Sequence, residues 1–314
     1  MMENRKVGRS LTSIFGKNGM ISVEIGNFFY FFFILLLLAF CFFSVKLCNK
    51  KGKRFAYKYI LTILFANFSL HFIKQLLPSY LNNFPNSLWK STFENLCAAL
   101  IILAPFIFMS KNKLFKDYMF YIGIVSGFGV YLFPFGSTGR DLRDLDTLID
   151  VLRFYLCHMP LVLCGFLMVQ QGFHKLDYHR LWKLVFTYIF FQTIIFLNDL
   201  LLFVCGVPDF KQAYGAVSDK QAWLNFLYRS GPANESVNMG FKEDFDKMLG
   251  WLYIPYLMTY EIGDKTYFIP VLYQFLPVFL LQFPIGITLA YPFQKEQMKL
   301  DYIRYKVDRE FKRK

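Results

Sequence analysis

Apolar residues fall along the chain in seven blocks, each close to the roughly 20 residues that a helix needs to cross a bilayer. The blocks cover residues 28–45, 57–77, 93–109, 118–135, 148–171, 181–205 and 268–291. A further apolar stretch, 248–260, is much shorter and is predicted to be interfacial or re-entrant. The pattern therefore predicts an all-α fold, a polytopic membrane helix bundle with about seven transmembrane helices.

The blocks follow one another without an internal repeat or a Gly/Ser linker, so a single transmembrane domain is predicted over residues 27–292. It carries an outer-side insertion at 206–266, follows a polar N-terminal segment at 1–26 and precedes a basic cytoplasmic tail at 293–314. The tail alternates basic and acidic residues, which is typical of a solvated helix. Binding to anionic lipid headgroups is the functional alternative for the tail.

The distribution of Lys and Arg predicts the orientation of the bundle. The loops after the first, third and fifth blocks, together with the C-terminal segment, hold 20 basic residues, whereas the short segments on the other side hold 8. Basic residues accumulate on the cytoplasmic side of membrane proteins. The N-terminus is therefore predicted to lie outside and the C-terminus in the cytoplasm.

Composition agrees with a membrane protein and excludes several other classes. Hydrophobic residues make up 55% of the chain and charged residues 18%, below the roughly 25% charged residues of soluble domains. The net charge of +13 comes from loops and the tail, so membrane lipid is the expected partner and nucleic acid is not. The six Cys form no CxxC pair, and neither a disulfide framework, a metal site nor a cofactor is predicted.

Polar residues inside the blocks are the candidates for function, because an ionisable group at the bilayer centre costs about 2.5–3.5 kcal/mol on insertion scales. Such residues are retained when they are paired, hydrated or functional. Counting along each helix places five of them about 8–15 Å deep in the outer half of the bundle, namely His71, Cys97, His158, Asn198 and Asp199, with His158 about 7 Å deeper than Cys97. Asn67, His71, Lys74 and Gln75 are spaced to share one helix face, and Glu94 and Cys97, three residues apart, are expected to share another.

A Cys and a His near the membrane surface suit acyl transfer or hydrolysis, in which a thiolate attacks an ester carbonyl and an imidazole moves the proton. Cys97 and His158 are the candidate catalytic residues. The candidate substrate-binding residues are His71, Lys74, Glu94 and Asn198. Structural interpretations stay open: Cys97 as an ordinary buried thiol, His158 as an interhelical hydrogen-bonding residue, and Lys74 with Asp199 as an ion pair.

Several segments, in the right order over about residues 90–260, resemble the YwaF-type integral membrane proteins. The segment 94–105 resembles the third span of that family, which contains a Leu-Cys pair, and His158 matches a single His in a later span. Weaker similarities lie at Arg180, Asn198, 226–234, 249–251 and 255–256. The animal relatives of that family include a transmembrane acyltransferase that uses a Cys and a His on phospholipids. The resemblance therefore implies a polytopic fold, with Cys97 as nucleophile and His158 as base.

Two functions remain in view at this stage. The first is a lipid acyltransferase or lipid hydrolase with its site in the outer half of the bundle. The alternative is a non-enzymatic carrier or channel with a polar intramembrane cavity. The chain shows neither repeated halves nor a matched pair of broken spans, which are typical of secondary transporters.

Overall fold

The computed structural model describes residues 21–134, 136–228, 252, 254–263 and 265–312. Over these residues the protein is a helix bundle with one small β-hairpin. The helices are α1 (Phe28–Lys51), α2 (Lys53–Ile73), α3 (Leu96–Met109), α4 (Lys113–Leu132), α5 (Leu145–Gln170), α6 (Leu184–Val204), α7 (Pro208–Tyr214), α8 (Lys220–Tyr228) and α9 (Phe275–Phe311). Single helical turns cover Lys74–Leu76, Pro78–Leu81, Leu88–Ser91, Tyr178–Lys183 and Leu272–Gln274. The antiparallel strands are β1 (Thr259–Ile262) and β2 (Lys265–Phe268).

Five of the described helices are long and apolar enough to cross a membrane: α1, α2, α5, α6 and α9, some with an adjoining helical turn. Helix α3 is apolar but has 14 residues, and α4 is not among the five. Each of the seven predicted blocks nevertheless coincides with a helix. The count of seven spans stays a prediction, as does the orientation.

Asparagine and aspartate side chains set where several helices begin. Asn95 accepts a hydrogen bond from the Ala98 backbone N–H, which makes Asn95 the N-cap of α3 and satisfies an otherwise unpaired donor. The helix therefore starts at Leu96 rather than at Phe93. Glu94 lies before the helix, so the expectation that Glu94 and Cys97 share one helix face was wrong.

Helices α4 and α5 approach closely because glycines stand where their backbones meet. A Cβ atom on Gly123 would lie 3.1 Å from the Leu161 carbonyl oxygen, and one on Gly165 would lie 3.1 Å from the Met119 carbonyl oxygen. Gly123 and Gly127 form a G-x-x-x-G pair, the spacing that lets two membrane helices pack at short distance. This contact fixes the relative position of the two helices that carry much of the candidate site.

The region before α9 differs from the prediction. Residues 254–260, the described part of the predicted interfacial segment, form a turn that leads into β1 rather than a membrane helix. The last helix begins at Phe275, seven residues later than predicted, and continues to Phe311. The motif residues 229–234 and 249–251 and the N-terminal residues 1–20 lie outside the described part of the chain.

Candidate functional site

Cys97 lies in the first turn of α3, partly exposed, and its thiol is a neighbour of the Ser126 hydroxyl on α4. The Ser126 hydroxyl is buried and makes no well-formed hydrogen bond to a described residue. The Cys97 thiol is therefore the polar neighbour of the Ser126 hydroxyl. Sequence reasoning missed Ser126, which sits inside the G-x-x-x-G segment of α4.

His158 is buried in the middle of α5, and its own helix orients the ring. Its Nδ1 lies 2.6 Å from the Phe154 carbonyl oxygen, and its ring packs on the Phe154 ring with centroids 4.7 Å apart. A carbonyl oxygen only accepts, so in the neutral ring Nδ1 carries the proton and Nε2 carries the lone pair. Nε2 makes no hydrogen bond to any described residue, which leaves it free to accept a proton.

Helix α4 contacts the helices of both candidate catalytic residues at one level of the bundle. Ser126 neighbours Cys97, and the adjacent Gly127 lies against the His158 backbone, where a Cβ would be 3.0 Å from the carbonyl oxygen. Both candidate catalytic residues therefore lie on helices that pack against α4. The depth difference of about 7 Å between Cys97 and His158, counted along the predicted helices, stays a prediction.

The four predicted substrate-binding residues gather around the segment 87–95. Lys74 Nζ lies 3.3 Å from Glu94 Oε1 and also donates to the Lys90 carbonyl. Asn198 Nδ2 donates to Thr92 Oγ1 at 3.0 Å, while His71 lies against the backbone of the same segment. His71 Nε2 is buried and unbonded among the described residues.

The ion pair of Lys74 differs from the alternative suggested by the sequence. The carboxylate that it contacts belongs to Glu94, not to Asp199. The side chain of Lys74 is only 4% exposed and that of Glu94 is 18% exposed. Removing either partner would therefore leave an uncompensated charge in a buried position. The Glu94 carboxylate, which lies just before α3, therefore neutralises the charge of Lys74.

A second ionic group, around Asp150, lies next to the Lys74–Glu94 pair at the same end of the bundle. Asp150 accepts from Arg153 at 2.8 Å and from Arg140 at 2.7 Å, and Arg153 also donates to the Tyr80 hydroxyl. Arg153 therefore links α5, the helix that carries His158, to the helical turn that contains Tyr80.

A further buried ionic group lies at the opposite end of the bundle and escaped the sequence reasoning. Asp117 accepts from His174 Nε2 at 2.7 Å and from Arg180 Nε at 2.7 Å. His174 lies in the connection between α5 and α6, yet it is only 6% exposed. No group of three or more His, Cys, Asp or Glu suited to a metal ion occurs among the residues that the structure describes.

A model of the TMEM164 family matches residues 20–234, which is more than half of the chain. No curated protein and no solved structure matches. The chain therefore belongs to the TMEM164 family. With its apolar helices, this makes it an integral, multi-pass membrane protein.

Proposed function

We propose that this TMEM164-family protein is a membrane lipid acyltransferase or lipid hydrolase in which Cys97 is the nucleophile and His158 the base. The sequence resemblance to YwaF-type proteins, and through them to a phospholipid acyltransferase, belongs to the same proposal. The proposal also includes the predicted topology, in which the site lies in the outer half of the bundle, the N-terminus outside and the C-terminus in the cytoplasm.

The tautomer of His158 carries the proposal. A general base needs an accessible lone pair, and the Nδ1 contact with Phe154 leaves that lone pair on Nε2. A purely structural His between two helices would use its second nitrogen to bond the partner helix. Nε2 of His158 has no such bond among the described residues. The residue is also buried, with 7% of its surface exposed, so water does not replace that bond freely.

The chemistry follows from these two groups. The Cys97 thiol gives its proton to His158 Nε2, and the thiolate attacks the ester carbonyl of a phospholipid. The tetrahedral intermediate collapses to a Cys97 thioester, and the departing lysolipid oxygen takes the proton back from His158. An acceptor hydroxyl, from a second lysolipid or from water, then loses its proton to His158 and attacks the thioester. The departing Cys97 thiolate takes that proton from His158, which restores the thiol and the neutral imidazole.

Neighbouring groups support these steps. The Ser126 hydroxyl would donate to the oxyanion, since it lies beside the Cys97 thiol. The polar groups around Lys74 and Thr92 would hold the phosphate and glycerol oxygens of the lipid.

The test is labelling of the purified protein in lipid nanodiscs with an acyl-chain chloroacetamide, followed by peptide mass spectrometry and by turnover of a radiolabelled phospholipid. Wild type should be labelled at Cys97, and Cys97→Ser should lose both labelling and turnover. His158→Gln should slow both by about 10²–10⁴-fold, the usual contribution of a general base.

The matched control is Cys205→Ser, which removes an exposed thiol at the end of α6. It should leave the labelling of Cys97 and the turnover unchanged. Labelling of Cys205 without Cys97, or full turnover by Cys97→Ser, would overturn the enzyme proposal. Binding of lipid without turnover would then favour the carrier alternative.

A further inference from the structure

An open cavity of about 1080 Å³ lies outside the candidate site, at the opposite end of the bundle. We call this end the Gly52 end, because α1 and α2 join there at Gly52; the connections α3–α4 and α5–α6 lie at the same end. The cavity is lined by the start of α2, the α3–α4 connection, the segment 173–180 and the segment 292–297 of α9. None of the candidate catalytic or substrate-binding residues lines it.

Hydrogen bonds hold the cavity walls in place. Helix α9 is kinked at Gln294, whose backbone leaves helical geometry. The Gln294 side chain donates to the Leu176 carbonyl at 2.6 Å and accepts from the Tyr178 backbone N–H at 2.8 Å. Asp117 anchors the same segment through His174 and Arg180. The cavity is therefore a built feature of the fold, not a gap between mobile loops.

The cavity is strongly basic, and most of its cations are not neutralised. Lys or Arg contributes six lining residues, while Asp177 and Glu296 are the lining carboxylates. Arg180 is occupied by Asp117 and Asp177. The other five make no ion pair with a described residue, and they are Lys111, Lys113, Lys116, Lys175 and Lys295. Such an excess of unpaired charge around a cavity attracts an anion.

The remaining wall is apolar and lies where the helices reach the membrane surface. Tyr57 packs on Phe108 and Phe173, with ring centroids 5.2 Å and 5.6 Å apart, and Phe293 lies on the α9 side. Tyr57 and Met109 remain about 40% exposed, at 39% and 44%. An aromatic surface beside a ring of lysines matches a molecule that has a phosphate and an acyl chain.

We propose that the cavity at the Gly52 end binds an anionic phospholipid of the adjoining leaflet, with its phosphate among the lysines and its chains against the aromatic wall. A phosphate-bearing headgroup can also come from a soluble molecule. The position of the cavity at the ends of the membrane helices favours the lipid. The site is separate from Cys97 and His158, so it does not depend on the proposed catalysis.

The test is native mass spectrometry of the detergent-purified full-length protein, which counts the retained lipid molecules. The probes are dioctanoyl phosphatidylglycerol, dioctanoyl phosphatidylcholine with equal chains but no net charge, and glycerol 3-phosphate without chains. All measurements use the Cys97→Ser background, so that hydrolysis cannot remove the probe. The anionic lipid should bind more tightly than either of the other two.

The cavity variant is the triple substitution of Lys113, Lys175 and Lys295 by Gln, which removes one exposed cation from each of three walls. It should weaken binding of phosphatidylglycerol by roughly 100-fold, since each of the three basic residues near a membrane surface is worth about 1 kcal/mol. The same three positions changed to Arg should retain binding.

The matched control substitutes Lys50, Lys51 and Lys58 by Gln, which removes the same charge from the same end but outside the cavity. It should bind like the parent protein. Equal loss of binding in the cavity and control variants would overturn the proposal, because net charge alone would then explain it. Equal affinity for glycerol 3-phosphate would overturn the lipid assignment in favour of a soluble phosphate.

Discussion

Replacing Gly127 by Ala tests how closely α4 and α5 pack beside the candidate site. A Cβ at this position would lie 2.8 Å from Val162 Cγ2 and 3.0 Å from the His158 carbonyl oxygen. The Val162 methyl can rotate away. The carbonyl belongs to the α5 backbone, so α5 itself has to move by a few tenths of an ångström. The same substitution at Gly129, on the same helix, meets no atom within 4 Å.

The expected magnitude follows from two opposing terms. Forcing an extra methyl group into a close contact typically costs about 1–3 kcal/mol. Removing a glycine from a helix interior gains about 0.5–1 kcal/mol in both variants. Gly129→Ala should therefore be stabilised slightly. Gly127→Ala should be less stable than Gly129→Ala by about 1–3 kcal/mol, the cost of the clash alone.

The measurement is the free energy of unfolding in mixed detergent micelles, obtained by titration with a denaturing detergent and followed by circular dichroism. Since the displaced backbone belongs to His158, Gly127→Ala should also lower phospholipid turnover under the proposed function, whereas Gly129→Ala should not. Equal free energies of unfolding for the two variants would refute the close helix approach. A more stable Gly127→Ala protein would do so more strongly.

Four other outcomes can be measured with standard methods. Glu94→Gln leaves the buried Lys74 charge unpaired and should destabilise the protein by about 3–5 kcal/mol, with partial recovery when Lys74→Met is added. An unchanged midpoint of thermal unfolding would contradict the ion pair. Asp117→Asn should cost about 1–3 kcal/mol, because the buried His174 loses its carboxylate partner while Arg180 keeps Asp177, and full stability would argue against that buried group. Asn95→Ala should lose about 1 kcal/mol while Asn95→Ser keeps most of the cap; equal loss in both would contradict capping. Epitope tags at the two chain ends should be accessible to protease from opposite sides of the membrane, and access to both from one side would disprove the odd number of spans.

Local sequence patterns located the helices well but placed their ends less accurately. Apolar length is a local property that the bilayer imposes, so each predicted block coincides with a helix. The ends depend on caps and kinks. Asn95 starts α3 three residues late, and the helical turn at Lys74–Leu76 ends α2 early. The hairpin of β1 and β2 was missed, because two strands of four residues carry too little periodicity to be recognised.

Partners across the bundle could not be predicted, because a polar residue in a span indicates only that some partner exists. The sequence suggested an ion pair between Lys74 and Asp199. In the structure the partner of Lys74 is Glu94, which lies outside the helices. His174 belongs to a connection between helices, and the fold buries it against Asp117, 57 residues away along the chain. The G-x-x-x-G signal in α4 was readable, and it would have indicated the close approach to α5.

The sequence by itself determined the membrane class, the helix positions and the residue types able to do chemistry, since hydropathy and side-chain reactivity belong to the residues themselves. The tertiary structure decided which of those residues meet. Packing through Ser126 and Gly127 relates Cys97 to the helix of His158, and Gln294 at the kink of α9 holds the distant segment 173–180 at the basic cavity. Both depend on how helix surfaces fit together, a property of pairs of helices that no single stretch of sequence contains.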